Sequence, residues 1–333
     1  MASQNQLSRY GAISRSIPGL HPAGRVFLVA DSDDTTVGPA NLGNDYPVDD
    51  KGVVRVYSTI QAAVNACDSR GDVVLVSPYH TENFTRADTW AVQGVQVIGM
   101  GEGDARPALV YNDSGATVNL SANGIRVSNL MFMASTDSIG IALDLDTGFN
   151  GIRVDNCIFN LDAATDNFKT MIRVASRESV IEDNRFIAAD TVGAAFALKL
   201  VFGEPDNLIF RNNYIYGQYD SGADTVSVSP APIGVDTTDT SDTNLSGIII
   251  QNNTVINTDT ASSLMMRIAG GTLFVRGMAR DNYFASYDSS VADTSKFVTG
   301  VAANQGIKML NNLLSSADSS TERLLGDTTV VHA

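Results

Sequence analysis

The chain has 333 residues, 44% of them hydrophobic, enough apolar material to bury a core without disulfides or a structural metal. Its 37 acidic residues outweigh 22 basic ones for a formal charge of −15. No basic run occurs, which argues against a nucleic-acid surface. Two cysteines, Cys67 and Cys157, stand in unrelated contexts, so a disulfide framework and a cysteine-rich zinc site are excluded, and both read as buried free thiols.

In chain order, residues 1–50 form no repeat and carry Pro18, Pro22, Pro39 and Pro47, the composition of an extended N-terminal arm. The start has no apolar h-region, and no stretch approaches the roughly 18 apolar residues of a membrane span. The expectation is a chain without membrane contact that is not exported by a leader. Residues 58–70 predict a capping helix, with Ser58 as N-cap, Ile60, Ala63, Val64 and Cys67 on one face, and Gly71 as the stop. That stop also accounts for the Arg70-Gly71-Asp72 tripeptide, so no adhesion role is assigned to it.

Residues 51–314 predict the main body. Its repeat runs Gly-Ile-Arg-Val-Ser-Asn129, Gly-Ile-Arg-Val-Asp-Asn156, Ser-Val-Ile-Glu-Asp-Asn184, then through Asn213, Asn253, Asn282 and Asn312. These asparagines lie 27, 28, 29, 40, 29 and 30 residues apart. A period in this range marks a solenoid. Short β-branched and aromatic runs broken by Gly, Asn, Asp and Ser make its rungs strands and turns rather than helices.

Two positions after each asparagine stands Met131, Ile158, Phe186, Ile215, Val255, Phe284 or Leu314. A second apolar column reads Ile125, Ile152, Val180, Leu208, Ile248, Met278 and Ile307. Stacked in-register parallel strands generate such columns. Asparagine suits the corner between them, because it tolerates left-handed backbone and can bond its neighbours above and below. Gly94–Gly99 and Gly71–Pro78 fit as two earlier rungs, giving nine in all. The fold class is therefore all-β, a right-handed single-stranded parallel β-helix with an N-terminal capping helix. The 40-residue interval places a loop insertion at about 217–246, and residues 315–333 read as a polar C-terminal tail.

Chemistry is sparse. The three histidines, His21, His80 and His332, stand outside the central rungs, so histidine acid–base catalysis is not expected. The sharpest enzymatic candidate is the pair Asp155 and Asp183, at the same position before the ladder asparagine on successive rungs. That would set them about 5 Å apart, the separation of a retaining glycosidase. The plainer reading is a column that is merely polar: Ser128, Asp155, Asp183, Asn212, Asn252, Asp281 and Asn311. Glu182 and Arg280 interrupt the apolar column of Val127, Val154, Phe210, Ile250 and Met309, which a local register shift would explain. No catalytic residue, cofactor or metal site is assigned.

From Val56, the run Val-Tyr-Ser-Thr-Ile-Gln-Ala-Ala-Val-Asn-Ala, then Gly71-Asp-Val-Val-Leu-Val-Ser-Pro and Gly94-Val-Gln-Val-Ile-Gly99, resembles the opening of pectin-lyase-like β-helix proteins. The resemblance spans about residues 56–314 and specifies fold more than chemistry. Asn257-Thr258-Asp259 matches one of four polygalacturonase-like motifs, and the other three are missing. The arm running straight into the β-helix is similar in layout to structural proteins of tailed bacteriophages. This likeness implies a non-enzymatic virion protein, a homotrimeric capsid decoration or cement protein assembled in host cytoplasm, displayed on the particle surface and gripping the major capsid protein or other virion subunits through its arm. The alternatives are a tailspike-type polysaccharide depolymerase, hydrolase or lyase, and a tail adhesin that binds host surface glycan without cutting it.

Overall fold

The structure is a computed structural model and describes residues 24–30, 55–188, 193–201, 205–219, 230–235, 245–260, 265–268, 275–287, 298–299, 306–316, 323–325 and 328–329. Three sheets of 12, 10 and 8 strands run the length of the molecule, and each takes every third strand of the body in sequence order. Successive strands of a sheet pair parallel and in register, as Met131–Ala134 does on Ile158–Leu161. A chain that visits three faces in turn and returns one strand further along is the parallel β-helix expected from the repeat.

The columns are chemical as well as geometric. In the first sheet Val97, Val127, Val154, Ile181, Phe210, Ile250, Ala279 and Met309 stack one on another and are buried. In the second sheet Phe132, Phe159 and Phe186 stack with centroids 4.8 and 5.0 Å apart, the spacing of the strands that carry them. The turns into the first-sheet strands from Gln96–Gly99 to Ile209–Arg211 use left-handed backbone at Gly94, Gly124, Gly151, Glu178 and Asn207, and Gly247 takes it at the irregularity within Leu245–Gln251.

The helix, α1, spans Ile60–Ala66 rather than 58–70. Its N-cap is Thr59, whose hydroxyl accepts the Ala62 amide, and Cys67 closes it, so Ser58 and Gly71 lie just outside. The shortening has a local cause. The Asp72 carboxylate accepts the amides of Asp68 and Ser69 and the amide and guanidinium of Arg25, which bends the chain away from the helix axis. Asp72 is fully buried in this network.

Strands form in three segments read as arm, insertion and tail. Within the arm, Val26–Val29 is a strand of the first sheet, inserted between Val56–Tyr57 and Val73–Val76; the rest of residues 1–50 lies outside the described residues. Within the supposed insertion, Ile233–Val235 is the third-sheet strand of its rung and pairs with Leu198–Leu200. In the tail, Arg323–Leu325 and Thr328–Thr329 pair antiparallel with the last strands of the second and first sheets. They cover an edge that would otherwise offer unpaired backbone groups.

Candidate functional site

The corner between the first and second sheets carries the asparagines, and it divides them into two sets. Left-handed backbone falls on Asn129, Asn156, Asp183, Asn212, Asn252, Asp281 and Asn311, with φ between 50° and 57°. The residue after each of these turns inward. In the five later rungs it is Asn184, Asn213, Asn253, Asn282 or Asn312, all buried. In the two earlier ones it is Leu130 or Cys157.

The buried five form a continuous ladder. Asn213 Oδ1 accepts the backbone amide of Asn184 at 3.0 Å, and its Nδ2 donates to the carbonyl of Ile181 and to Asn253 Oδ1, both at 3.1 Å. Asn253 and Asn282 repeat the arrangement. Asn129 and Asn156 stand outside this ladder. Asn156 Nδ2 donates to Asn129 Oδ1 at 3.0 Å on the outer surface, and Asn129 caps the carbonyls of Gly99 and Gly101. A repeat alignment on asparagine alone merges two adjacent positions into one column.

The same one-residue offset corrects the carboxylate pair. Asp155 pairs across the first sheet with Glu182, while Asp183 occupies the exposed turn beyond it. Ser128, Asp155, Glu182, Arg211, Gln251 and Arg280 form the outward column, so Glu182 and Arg280 do not interrupt the core, which holds Ile181 and Ala279 there. Likewise Val180 and Met278 face outward. Phe132 and Phe159, not Met131 and Ile158, are the buried residues of the second sheet.

Arginines take up both carboxylates. Arg126 binds Asp155 through two bonds of 2.8 Å, Ser128 donates to the same group, and Arg153 reaches it at 3.2 Å. Glu182, 2% exposed, is held between Arg153 and Arg211. The Asp155 hydrogen bond raises the Arg126 guanidinium above its ordinary value, against the opposing effect of burial. This row is an ionic staple across the rungs, and its oxygens are engaged rather than open to a substrate.

His80 lies buried in the first rung beside Glu82, 3.5 Å from its carboxylate, while His21 and His332 lie outside the described residues. Asn257 and Asp259 are buried, and the Asn257 amide oxygen accepts the amides of Tyr219 and Asp259, a structural use of that tripeptide. Both cysteines are free and buried, and burial pushes each thiol up to about 12. Among the described residues no cluster of three or more His, Cys, Asp or Glu could hold a metal, and no helix is long and apolar enough to cross a membrane.

The outer face of the second sheet shows a surface that the repeat alignment did not single out. One outward column reads Ala108, Met131, Ile158, Arg185, Tyr214, Thr254 and Tyr283; its neighbour reads Val110, Met133, Asn160, Ile187, Tyr216 and Ile256. Tyr214 and Tyr216 lie 6.4 Å apart with rings 5° from parallel. Tyr283 follows two rungs beyond Tyr214, about 10 Å along the axis, and Tyr287, just after its strand ends at Ser286, is 50% exposed. Three of the chain's ten tyrosines thus gather on one strip, flanked by Ile187 and Ile256. The sequence signal was available as Tyr-Ile-Tyr and Tyr-Phe-Ala-Ser-Tyr, period two after a turn.

Fifteen solved chains match this architecture. The fold resembles phage tailspikes. The tailspike protein of E. coli bacteriophage HK620, in complex with a pentasaccharide, aligns over 74% of this chain and 51% of its own at 13% identity and a TM-score of 0.49. A double mutant of the same tailspike aligns over 93% of this chain and 68% of its own, at 12% identity and a TM-score of 0.47. The chain spans about half the length of the first of these, and at such values the likeness is one of fold. No family model matches the sequence, and no curated protein matches it. The expectation of a capsid decoration or cement protein bound to the major capsid protein is withdrawn: the solved chains of similar fold named above are of a tailspike, not of a capsid decoration protein.

Proposed function

We propose that the chain is a tailspike-type virion protein of a tailed bacteriophage whose β-helix binds host surface glycan along the tyrosine strip of its second sheet. The observation that carries the reading is the strip itself: Tyr214, Tyr216 and Tyr283 on the outer face of one parallel sheet, partly exposed, with Tyr287 just beyond the last strand. A pyranose presents a face of C–H bonds that packs on an aromatic ring, while its hydroxyls reach polar groups beside it. Thr254 and Asn160 stand in the same two columns for that purpose. A parallel sheet suits an extended polymer because it repeats one geometry at a fixed step. A homotrimer belongs to the same reading, and the half-buried outward column of Val180, Ile209, Ile249 and Met278 gives a subunit contact an apolar strip to cover.

Screening the purified chain on an array of bacterial capsular and O-antigen oligosaccharides tests the reading. Retention of one glycan class is expected, weakened about tenfold or more by Tyr214→Ala or Tyr283→Ala. A folded chain that retains no glycan, or retains it equally after both substitutions, overturns it. Reducing ends released from a retained polysaccharide would extend the reading from binding to depolymerisation. Light scattering checks the trimer.

A further inference from the structure

The strip ends at an unusual electrostatic arrangement. In a chain of charge −15, the guanidinium at the head of the tyrosine column, Arg185, is exposed, and its carbon lies 5.8 Å from the centre of the Tyr214 ring. A second guanidinium is close by. Arg106, just before the second-sheet strand Ala108–Tyr111, reaches across a rung to donate to the Asn156 carbonyl. The next residue, Cys157, accepts the backbone amide of Arg185 at 2.9 Å. The strands that carry them lie three rungs apart, and the long Arg106 side chain brings its guanidinium to the rung next to Arg185.

Elsewhere on these sheets several arginines are matched by carboxylates: Arg126 and Arg153 by Asp155, Arg153 and Arg211 by Glu182, Arg173 by Asp144. Here, among the described residues, no carboxylate stands within ion-pair distance of Arg106 or Arg185. Arg106 Nε is buried without a hydrogen-bond partner. Burial pushes the Arg106 guanidinium below its ordinary value; Cys157 opposes this, Arg185 adds to it, and Glu102 opposes it least. Two guanidinia on neighbouring rungs without a counter-charge repel each other, and an anion placed beside them would relieve the repulsion.

The geometry points to an anion subsite formed by Arg185 and Arg106 at the end of the tyrosine strip, which selects a glycan whose sugar carries a carboxylate or a phosphate. It rests on the glycan-binding reading and names the substrate class. The guanidinium fork binds carboxylate and phosphate alike. Stacking a sugar on Tyr214 would bring an acidic substituent of that sugar or the next within reach of Arg185.

The test is an array that holds neutral, hexuronate-bearing, sialate-bearing and phosphate-bearing oligosaccharides of matched length, probed with the full chain, Arg185→Gln, Arg185→Lys and Tyr214→Ala. Arg185 is exposed, so its substitution leaves the fold standing; Arg106→Gln is added with a melting curve, since it also loses the Asn156 bond. The expected result is preferential retention of acidic glycans that weakens with added salt. Arg185→Gln should lower it about ten- to a hundredfold while leaving neutral relatives unchanged, with partial rescue in Arg185→Lys. Whether the uronate and sialate spots or the phosphate spots respond distinguishes the two anions. Neutral glycans retained as well as acidic ones, or equal loss of both in Arg185→Gln, overturns the subsite while leaving the platform intact. Loss of no glycan at all in Tyr214→Ala defeats the platform itself.

Discussion

The two early rungs at Leu130 and Cys157 and the five later ones from Asn184 to Asn312 turn the same corner with different chemistry. In the early rungs the inward residue is apolar, and asparagine is confined to the exposed turn residue before it. In the later rungs a buried amide satisfies the turn's backbone N–H and a carbonyl of the rung before, and passes the pattern on. The difference teaches that the left-handed turn and the amide ladder are separable devices. A turn needs only a residue that tolerates positive φ. A ladder needs a buried side chain with both donor and acceptor, because orphaned backbone groups are costly away from water.

The largest effect should come from breaking the ladder in its interior. Asn213→Ala leaves the Asn184 amide and the Ile181 carbonyl without these partners in a buried site, and should cost about 2–4 kcal/mol in chemical denaturation. A loss below that of a surface substitution would show that water can replace the ladder. Next comes the ionic row beside it. Glu182→Gln leaves Arg211 without a counter-charge and Arg153 with Asp155 alone, and about 1–3 kcal/mol is expected from the same measurement. At the turn, Asn212→Ala keeps the ladder but forces alanine into φ near 57°; a cost of about 1 kcal/mol should follow, with Asn212→Gly near neutral.

The regions should also part company in pH dependence. Near α1 the first rung turns Glu82 and Asp88 inward, and Glu82 accepts the helix amide of Ile60 at 2.9 Å. Burial first, then the charge of Glu82, raises the Asp88 carboxyl above its ordinary value. The folded chain therefore holds that proton more tightly than the unfolded one. Its stabilising contribution is complete below the ordinary carboxylate range and is lost as pH rises through the elevated folded value. Asp88→Asn should flatten this acid-side slope in urea midpoints, whereas Asn213→Ala should shift the curve without changing its shape, since amides do not titrate. The smallest effect belongs to Cys157→Asn. The thiol already lies 3.9 Å from the Val127 carbonyl, the place the Asn184 amide takes one rung on at Val154. Extending the ladder by one rung should change stability by less than about 1 kcal/mol.

Much of the fold was legible because a stacked parallel sheet copies its chemistry at a fixed interval. Seven recurring asparagines and the apolar runs between them were enough to reveal rungs and period, and the spacing of Ile60, Ala63 and Val64 the helical cap. The candidate site was less legible. Asp155 and Asp183 were paired by counting from an asparagine that means one thing at Asn156 and another at Asn184. The tyrosines of the second sheet were countable from the start, but strips on a sheet's outer face exist only once the register between rungs is fixed.

The sequence by itself determined that this chain is a parallel β-helix, because period, β-branched runs and turn residues act locally and repeat. Only the tertiary structure decided which residue of each copy faces inward. A shift of one residue exchanges core for surface in a structure of period two, so the mixed column became a turn and a ladder, the proposed acid pair became an ionic staple, and Tyr214, Tyr216 and Tyr283 came to share a face with Arg185.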